Sequence, residues 1–236
     1  MRESAPAVWA VIPAAGVGRR MAGAIPKQYL PLVGRTVIEW SIDAVIDGAS
    51  PASVIVALAP DDARFSALAI AAHPLVRVTA GGAERAASVL NALTALSQQA
   101  RDEDWVLVHD AVRPCVQAED VRRLLAQIGA DAVGGLLAAP VNDTLKSADA
   151  DGRVLATVPR AGLWRALTPQ VFRLGLLRRA LQAAAQGGQL ATDESSAIEA
   201  LGLRPKLIAG RADNIKITVP EDVAIAERIL HTRTDH

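Results

Sequence analysis

Five short apolar runs, Val8 to Ile12, Val54 to Leu58, Val76 to Thr79, Trp105 to Val108 and Ala132 to Ala138, alternate with longer stretches of helical periodicity. The helical candidates are Thr36 to Ile46, Asp61 to Ala72, Glu84 to Leu96 and Ala118 to Ile128. Strands separated by helices cannot return as hairpins, and continuous apolar runs suit strands buried on both faces. The rhythm therefore predicts an α/β fold with a mostly parallel central sheet covered on both sides. Ligands of such sheets bind beyond the carboxyl ends of the strands, so the chemistry belongs in the loops that leave them.

The first of those loops is Pro13-Ala14-Ala15-Gly16-Val17-Gly18-Arg19-Arg20-Met21, followed by Pro26-Lys27-Gln28. Small residues let backbone amides approach phosphates, and Arg and Lys neutralise the oxygens that the amides leave. The spacing fits neither GxxxxGK[ST] nor the three-glycine dinucleotide fingerprint, which turns the reading toward nucleotidyl transfer. Later strand exits carry Gly81-Gly82 and His109-Asp110-Ala111-Val112-Arg113-Pro114.

With 236 residues, 51% of them hydrophobic, the chain can bury a large core, and no linker-like composition divides it, so one domain over 1–236 is expected. Its 25 basic and 25 acidic residues cancel, which argues against a nucleic-acid partner and makes any anion site local. Cys115 is the single cysteine; it can form neither an internal disulfide nor a multi-cysteine zinc site, and reads as packing. Four scattered histidines without HxxxH or HExxH spacing offer no zinc site either, so His109 reads as structural. No apolar run reaches membrane-spanning length, and a cytoplasmic protein is expected.

After Pro140 the rhythm changes. Thr144-Leu145-Lys146 and Val154 to Val158 flank a turn signal at Asp149-Ala150-Asp151-Gly152, predicting a protruding hairpin. Exposed strand edges tend to be covered, so pairing with a second copy is expected. A helix near Leu174 to Ala185, strands near Lys206 to Ile208 and Ile215 to Val219, and a last helix from about Pro220 follow. Thr218 and Glu221 have the spacing of a capping box for that helix.

PAAGVGRRM (13–21), PKQY (26–29), GGAER (81–85) followed by Ser88, HDAVRP (109–114), LTPQ (167–170), TDE (192–194) and ADNIK (212–216) occur in order over nearly the whole chain. Together these words resemble the 2-C-methyl-D-erythritol 4-phosphate cytidylyltransferases of the non-mevalonate isoprenoid pathway. The resemblance implies a Rossmann-like nucleotidyltransferase domain whose β-arm, at about 141–160, embraces a second subunit to form a homodimer. It implies attack of the acceptor phosphate on the α-phosphorus of CTP, with Mg²⁺ and loss of pyrophosphate.

By the same resemblance, Arg20 and Lys27 stabilise the transition state, and Pro13, Ala14, Ala15, Gly16, Gly18, Gly82, Ala83, Ser88, Asp110 and Ala111 bind CTP. Arg160 and Lys216 hold the acceptor phosphate, with Thr144, Thr168, Thr192 and Asp193 as further contacts, Thr144 and Arg160 reaching the neighbouring subunit's site. Asp110 is the candidate for metal or ribose, Mg²⁺ being held mostly by the CTP phosphates. Plainer roles compete at several positions: Ser88 as a helix hydroxyl bonding the backbone, Asp110 as a loop cap, Asp193 as a helix N-cap, and Arg113 as an ordering residue. Ala83 and Pro159 stand where an aspartate is expected. Three other functions fit parts of the pattern: ribitol 5-phosphate cytidylyltransferase, an NAD-dependent oxidoreductase, and a noncatalytic nucleotide-binding regulator. The missing GxGxxG disfavours the second and the intact set Arg20, Lys27, Arg160 and Lys216 the third.

Overall fold

The computed structural model describes residues 5–16, 25–188 and 191–234. Strand β1 (Val8–Pro13) is an interior strand of a seven-stranded sheet. The chain continues through a small hairpin, β2 (Pro31–Leu32) and β3 (Arg35–Thr36), into helix α1 (Val37–Ala49). Then follow β4 (Val54–Leu58), β5 (Val76–Ala80), α2 (Arg85–Leu96), β6 (Trp105–Val108), α3 (Ala118–Ile128) and β7 (Gly134–Pro140). A second hairpin, β8 (Leu145–Ala148) and β9 (Val154–Val158), leads to the long β10 (Trp164–Arg173). Helices α4 (Leu174–Gln186) and α5 (Glu194–Ala200), strand β11 (Lys206–Ala209) and helix α6 (Glu221–Thr234) complete the order.

The sheet order is β11-β7-β10-β6-β1-β4-β5. β1, β4, β5 and β6 pair in parallel, as do β7 and β11, while β10 runs antiparallel to both of its neighbours. The expected mostly parallel α/β sheet is thus present, with one reversed strand at its heart. Alternation along the strands feeds two apolar layers. Ala10, Ile12, Val56 and Leu107 face α1 and α3, whereas Val11, Ile55, Val106 and Val108 face α2, α4 and α5. Each fully buried aliphatic side chain contributes roughly 1.5–3 kcal/mol.

α1 starts where Thr36 and Glu39 form a capping box, the Glu39 carboxylate accepting from the Thr36 backbone N–H at 2.8 Å. Gly48, near its end, lets it press on α3, since a Cβ there would lie 2.6 Å from the Val121 Cβ. α6 closes a third apolar cluster over Leu32, Val37 and Cys115, and the buried Cys115 packs as expected.

Several expectations are corrected. Asp61 to Ala72 is not an α-helix but two 3-10 turns, Phe65–Ala67 and Ala69–Ala72. The Asp62 carboxylate takes the Arg64 and Phe65 amides and accepts from the Tyr29 hydroxyl, offering the backbone another arrangement. Ile215 to Val219 is not a strand and joins no ladder; its Ile217 N–H reaches the Val112 carbonyl across a loop. At the start of α6 the cap is Asp222, which accepts from the Thr218 and Val219 amides, not the pair Thr218 and Glu221. β10 is a further strand, one that the apolar runs do not predict. Pro169 cannot donate to a ladder, yet it sits where the β7 pairing shifts register between Ala166 and Gln170, an irregularity that tolerates it. The hairpin falls where the sequence places it, with Leu145 opposite Val158 and Lys146 opposite Thr157.

Candidate active site

Beyond the carboxyl end of β1, Pro13, Ala14, Ala15 and Gly16 form one wall of a cleft. Gln28 fixes this wall by donating from Nε2 to the carbonyls of Ala14 (2.8 Å) and Gly16 (3.4 Å). The neighbouring Lys27 also lines the cleft and donates to the Thr218 carbonyl at 3.3 Å. Gly18, Arg19 and Arg20 lie outside the described residues. Gly82, Ala83 and Ser88 form the facing wall, after β5. Gly81 allows this approach, because a Cβ there would collide with the Ala15 Cβ. Ser88 Oγ accepts from the Gly82 N–H at 3.0 Å and donates to the Glu84 carbonyl at 3.1 Å, so the plain helix-hydroxyl role and a place in the cleft coexist.

The floor is charged. Asp110, just after β6, is buried with Ala111. Its Oδ1 pairs with Arg85 Nε at 2.9 Å, and its Oδ2 with Lys216 Nζ at 3.0 Å and Arg113 Nε at 3.3 Å. Burial alone would push this carboxyl up; the charges of Arg85, Lys216 and Arg113 outweigh it and hold the group far below the ordinary carboxylate range. Arg113 also donates to the Asn214 carbonyl at 2.8 Å, fulfilling the ordering role. Arg85 turns its other edge to Glu194, with Nη1 to Oε1 at 2.6 Å and Nη2 to Oε2 at 3.0 Å.

A second cleft opens on the far side of this cluster. Arg85, Asp110 and Lys216 belong to both, while Thr168, Thr192 and Asp193 line the second. Thr168 Oγ1 accepts from the Asp110 N–H at 3.1 Å and lies 2.9 Å from His109 Nδ1. His109 Nε2 is 3.2 Å from the Arg113 carbonyl, which needs a donor, so the network assigns the proton to Nε2 and makes Nδ1 the acceptor. Burial, opposed by the Asp110 charge, pushes this imidazole down to about 4 and keeps it neutral. His109 is structural, as its spacing suggests. Asp193 caps α5 by accepting from Ser196 N–H at 2.9 Å, and also accepts from Gln170 Nε2 at 2.8 Å. Thr144 and Arg160 are not brought to this cluster within the chain; Arg160 donates to the Asn142 carbonyl at the base of the β8–β9 arm.

Sequence reasoning left four members of the network without a role: Arg85, Glu194, Gln170 and Asn214. Gln170 joins β10 to α5 by accepting from Ser195 N–H at 2.8 Å, and Asn214 Nδ2 donates to the Thr168 carbonyl at 2.8 Å. Each lies inside a quoted word, GGAER, TDE, LTPQ or ADNIK. A signal was present in the first of these: a cation at the first position of a helix works against the helix dipole and calls for acidic partners.

A small-residue loop with Lys27 beside it, and two clefts divided by ion-paired Arg85, Asp110 and Lys216 at the ligand end of a mostly parallel sheet, make the arrangement expected of a nucleotidyltransferase. The profile of the 2-C-methyl-D-erythritol 4-phosphate cytidylyltransferases matches residues 8–232, and the chain belongs to that family. The relative of that name from Pseudomonas fluorescens (strain Pf0-1) is 54% identical over 224 residues, which are 94% of this chain and 95% of the relative. The crystal structure of a 4-diphosphocytidyl-2C-methyl-D-erythritol synthase superposes with a TM-score of 0.83 at 41% identity, covering 95% of this chain and 99% of that one. The Francisella tularensis 2-C-methyl-D-erythritol 4-phosphate cytidylyltransferase gives 0.81 at 32% identity, covering 94% and 99%.

Proposed function

We infer that this chain transfers the cytidylyl group of CTP to 2-C-methyl-D-erythritol 4-phosphate, releasing pyrophosphate and giving 4-diphosphocytidyl-2-C-methyl-D-erythritol for isoprenoid precursor synthesis. The observation that carries the mechanism is the wall shared by the two clefts. A nucleotide in the first and a phosphate monoester in the second would meet across Arg85, Asp110 and Lys216. In this reading one acceptor oxygen forms the new bond to the α-phosphorus while the bond to the bridging oxygen of the β-phosphate breaks, its electron pair leaving with pyrophosphate. The nucleophile is already an anion, so positioning and charge stabilisation govern the rate. That agrees with a His109 held neutral and fully bonded instead of serving as a base.

We assign Lys27 and Arg20 to the triphosphate, and Lys216 to the acceptor phosphate with Arg160 of a second subunit. Backbone groups of Ala14, Ala15, Gly82 and Ala83, with the Ser88 hydroxyl, would read cytosine without charge. Ala83 is exposed, so only its backbone is asked to serve. Two unit charges 4 Å apart interact by about 1 kcal/mol in water and about 4 kcal/mol at an effective dielectric of 20, so desolvating these cations matters.

The donor set fits Mg²⁺ in one way. Among the described residues no three His, Cys, Asp or Glu side chains gather as a metal cage, and Asp110 is already bonded on both oxygens. The ion would be held mostly by CTP phosphate oxygens and water, with Asp110 as the carboxylate in reach. When bound it would neutralise charge on the triphosphate.

The homodimer is proposed on the arm. Val154 and Leu155 are 63% and 67% exposed, and Trp164 at its root 38%, an apolar surface suited to a second copy. Among the described residues no helix is long and apolar enough to cross a membrane. A cytoplasmic location is proposed, where the free Cys115 would stay reduced.

The test is pyrophosphate release from CTP and Mg²⁺ with methylerythritol phosphate and ribitol 5-phosphate in parallel. Release with methylerythritol phosphate alone is expected; release with ribitol 5-phosphate alone would reassign the acceptor, and silence with both would remove the activity.

A further inference from the structure

Glu194 stands in the first turn of α5, where an acid ordinarily lies in solvent and serves the helix dipole. Here its side chain is 1% exposed and both oxygens are taken by Arg85. A buried ion pair is weak evidence for stability, since well-packed apolar residues often serve as well or better. Arg85 in turn occupies the first position of α2, where a cation opposes the dipole. Arg85 thus opposes its own helix and Glu194 is withdrawn from solvent; what they share is a line of contact. It runs from α5 through Glu194 to Arg85 on α2, to Asp110 after β6, and to Lys216 after β11.

We propose that Glu194 is a positioning residue for the transfer reaction, holding Arg85 so that Asp110 keeps one oxygen for Lys216. The inference rests on the function proposed above and goes further by adding a residue to it. The guanidinium is planar with donors in a rigid fork. With both Nη groups committed to Glu194, Nε remains to meet Asp110 Oδ1, and Oδ2 is left to Lys216 Nζ, with Arg113 Nε at 3.3 Å as its second partner. Released from Glu194, the fork would close on Asp110 with two parallel bonds and compete with Lys216 for Oδ2. Lys216 would then lose its register toward the acceptor cleft. The cytosine wall has its own fastening, Gly82 N–H to Ser88 Oγ, which does not pass through Glu194.

Glu194→Gln is expected to raise the KM for methylerythritol phosphate roughly 10- to 100-fold, leaving the KM for CTP within about twofold of wild type. Added to Lys216→Ala, it should cost less than about twofold more, because the group it positions is gone. Arg85→Lys keeps the charge but loses the fork, and should show the same split in KM; it carries the test if Glu194→Gln does not fold. Equal losses toward both substrates, unchanged constants, or losses that multiply with Lys216→Ala would overturn the proposal. A wild-type chain inactive with either acceptor would remove the function and the inference together, whereas an active wild type with unaltered variants would remove the inference alone.

Discussion

At the ligand end of the sheet, the buried carboxylates of Glu194 and Asp110 are tied to cations on elements distant in sequence, Arg85 and the more exposed Lys216, and Arg113 is tied to Asn214. On the β8–β9 arm the pattern inverts. Val154 and Leu155 face outward, and Arg160 bonds to the arm's own backbone. The first region arrives preorganised, its cations held by carboxylates that its own core buries; the second has a cation and apolar surface that no buried partner of this chain holds. Burial within one chain is thus a guide to which functional groups that chain can position alone.

The sharpest way to break this contrast is Lys216→Ala, expected to lower kcat/KM for the acceptor about 10²- to 10³-fold, or roughly 2.7–4 kcal/mol, in a pyrophosphate-release assay. If the arm is completed by a partner, mixed dimers of Lys216→Ala and Arg160→Ala subunits should regain about one site's activity; no regain would place both groups in one chain.

Next in size is acid sensitivity. His109 has a folded value of about 4 against an ordinary 6.5, so between those pH values the unfolded chain takes up a proton that the folded chain refuses. Stability from this group is therefore complete above the upper value and declines as pH falls, by up to about 3 kcal/mol at pH 4. Asp110, depressed, adds to the loss below about pH 4. Urea titrations of wild type and His109→Gln at pH 7 and 4.5 would check this; an equal slope in both would discharge His109.

Gly81→Ala, which crowds Ala15, should cost about 1–3 kcal/mol in the same titration and raise the KM for CTP; a neutral result would show that the cleft walls yield. The smallest expected change is Leu155→Ser on the arm, within about 0.5 kcal/mol for the isolated chain. Sedimentation should nevertheless show weakened self-association, and an unaltered profile would take the arm's tip out of the interface.

Much of the frame was legible, for reasons that differ by element. α1 and α3 carry an apolar stripe and good termini, so Thr36 and Ala118 mark their starts within a residue. The stretch from Asp61 to Ala72 has a comparable pattern, but the bond between Asp62 and Tyr29 is a tertiary event that no local window contains. β10 stayed hidden because Pro169 argues against a central strand unless the irregular pairing with β7 is known. In the site, Thr168, Asp193 and Lys216 follow from the family words and meet in one cleft. Arg85 and Glu194 stand in the same words, but nothing in either neighbourhood says that α2 and α5 converge.

The reversal of β10 has a structural consequence. Parallel strands such as β6 run toward the ligand and hand over a loop there, whereas β10 comes in from the arm, passing Thr168 and Gln170 before it reaches the opposite edge at Arg173. The arm therefore leads, through the short loop 159–163, into the strand that lines the second cleft. The strand that leaves the arm's root at Trp164 thus also supplies Thr168, whose hydroxyl accepts from the Asp110 N–H, so one strand joins the exposed apolar surface to the buried carboxylate.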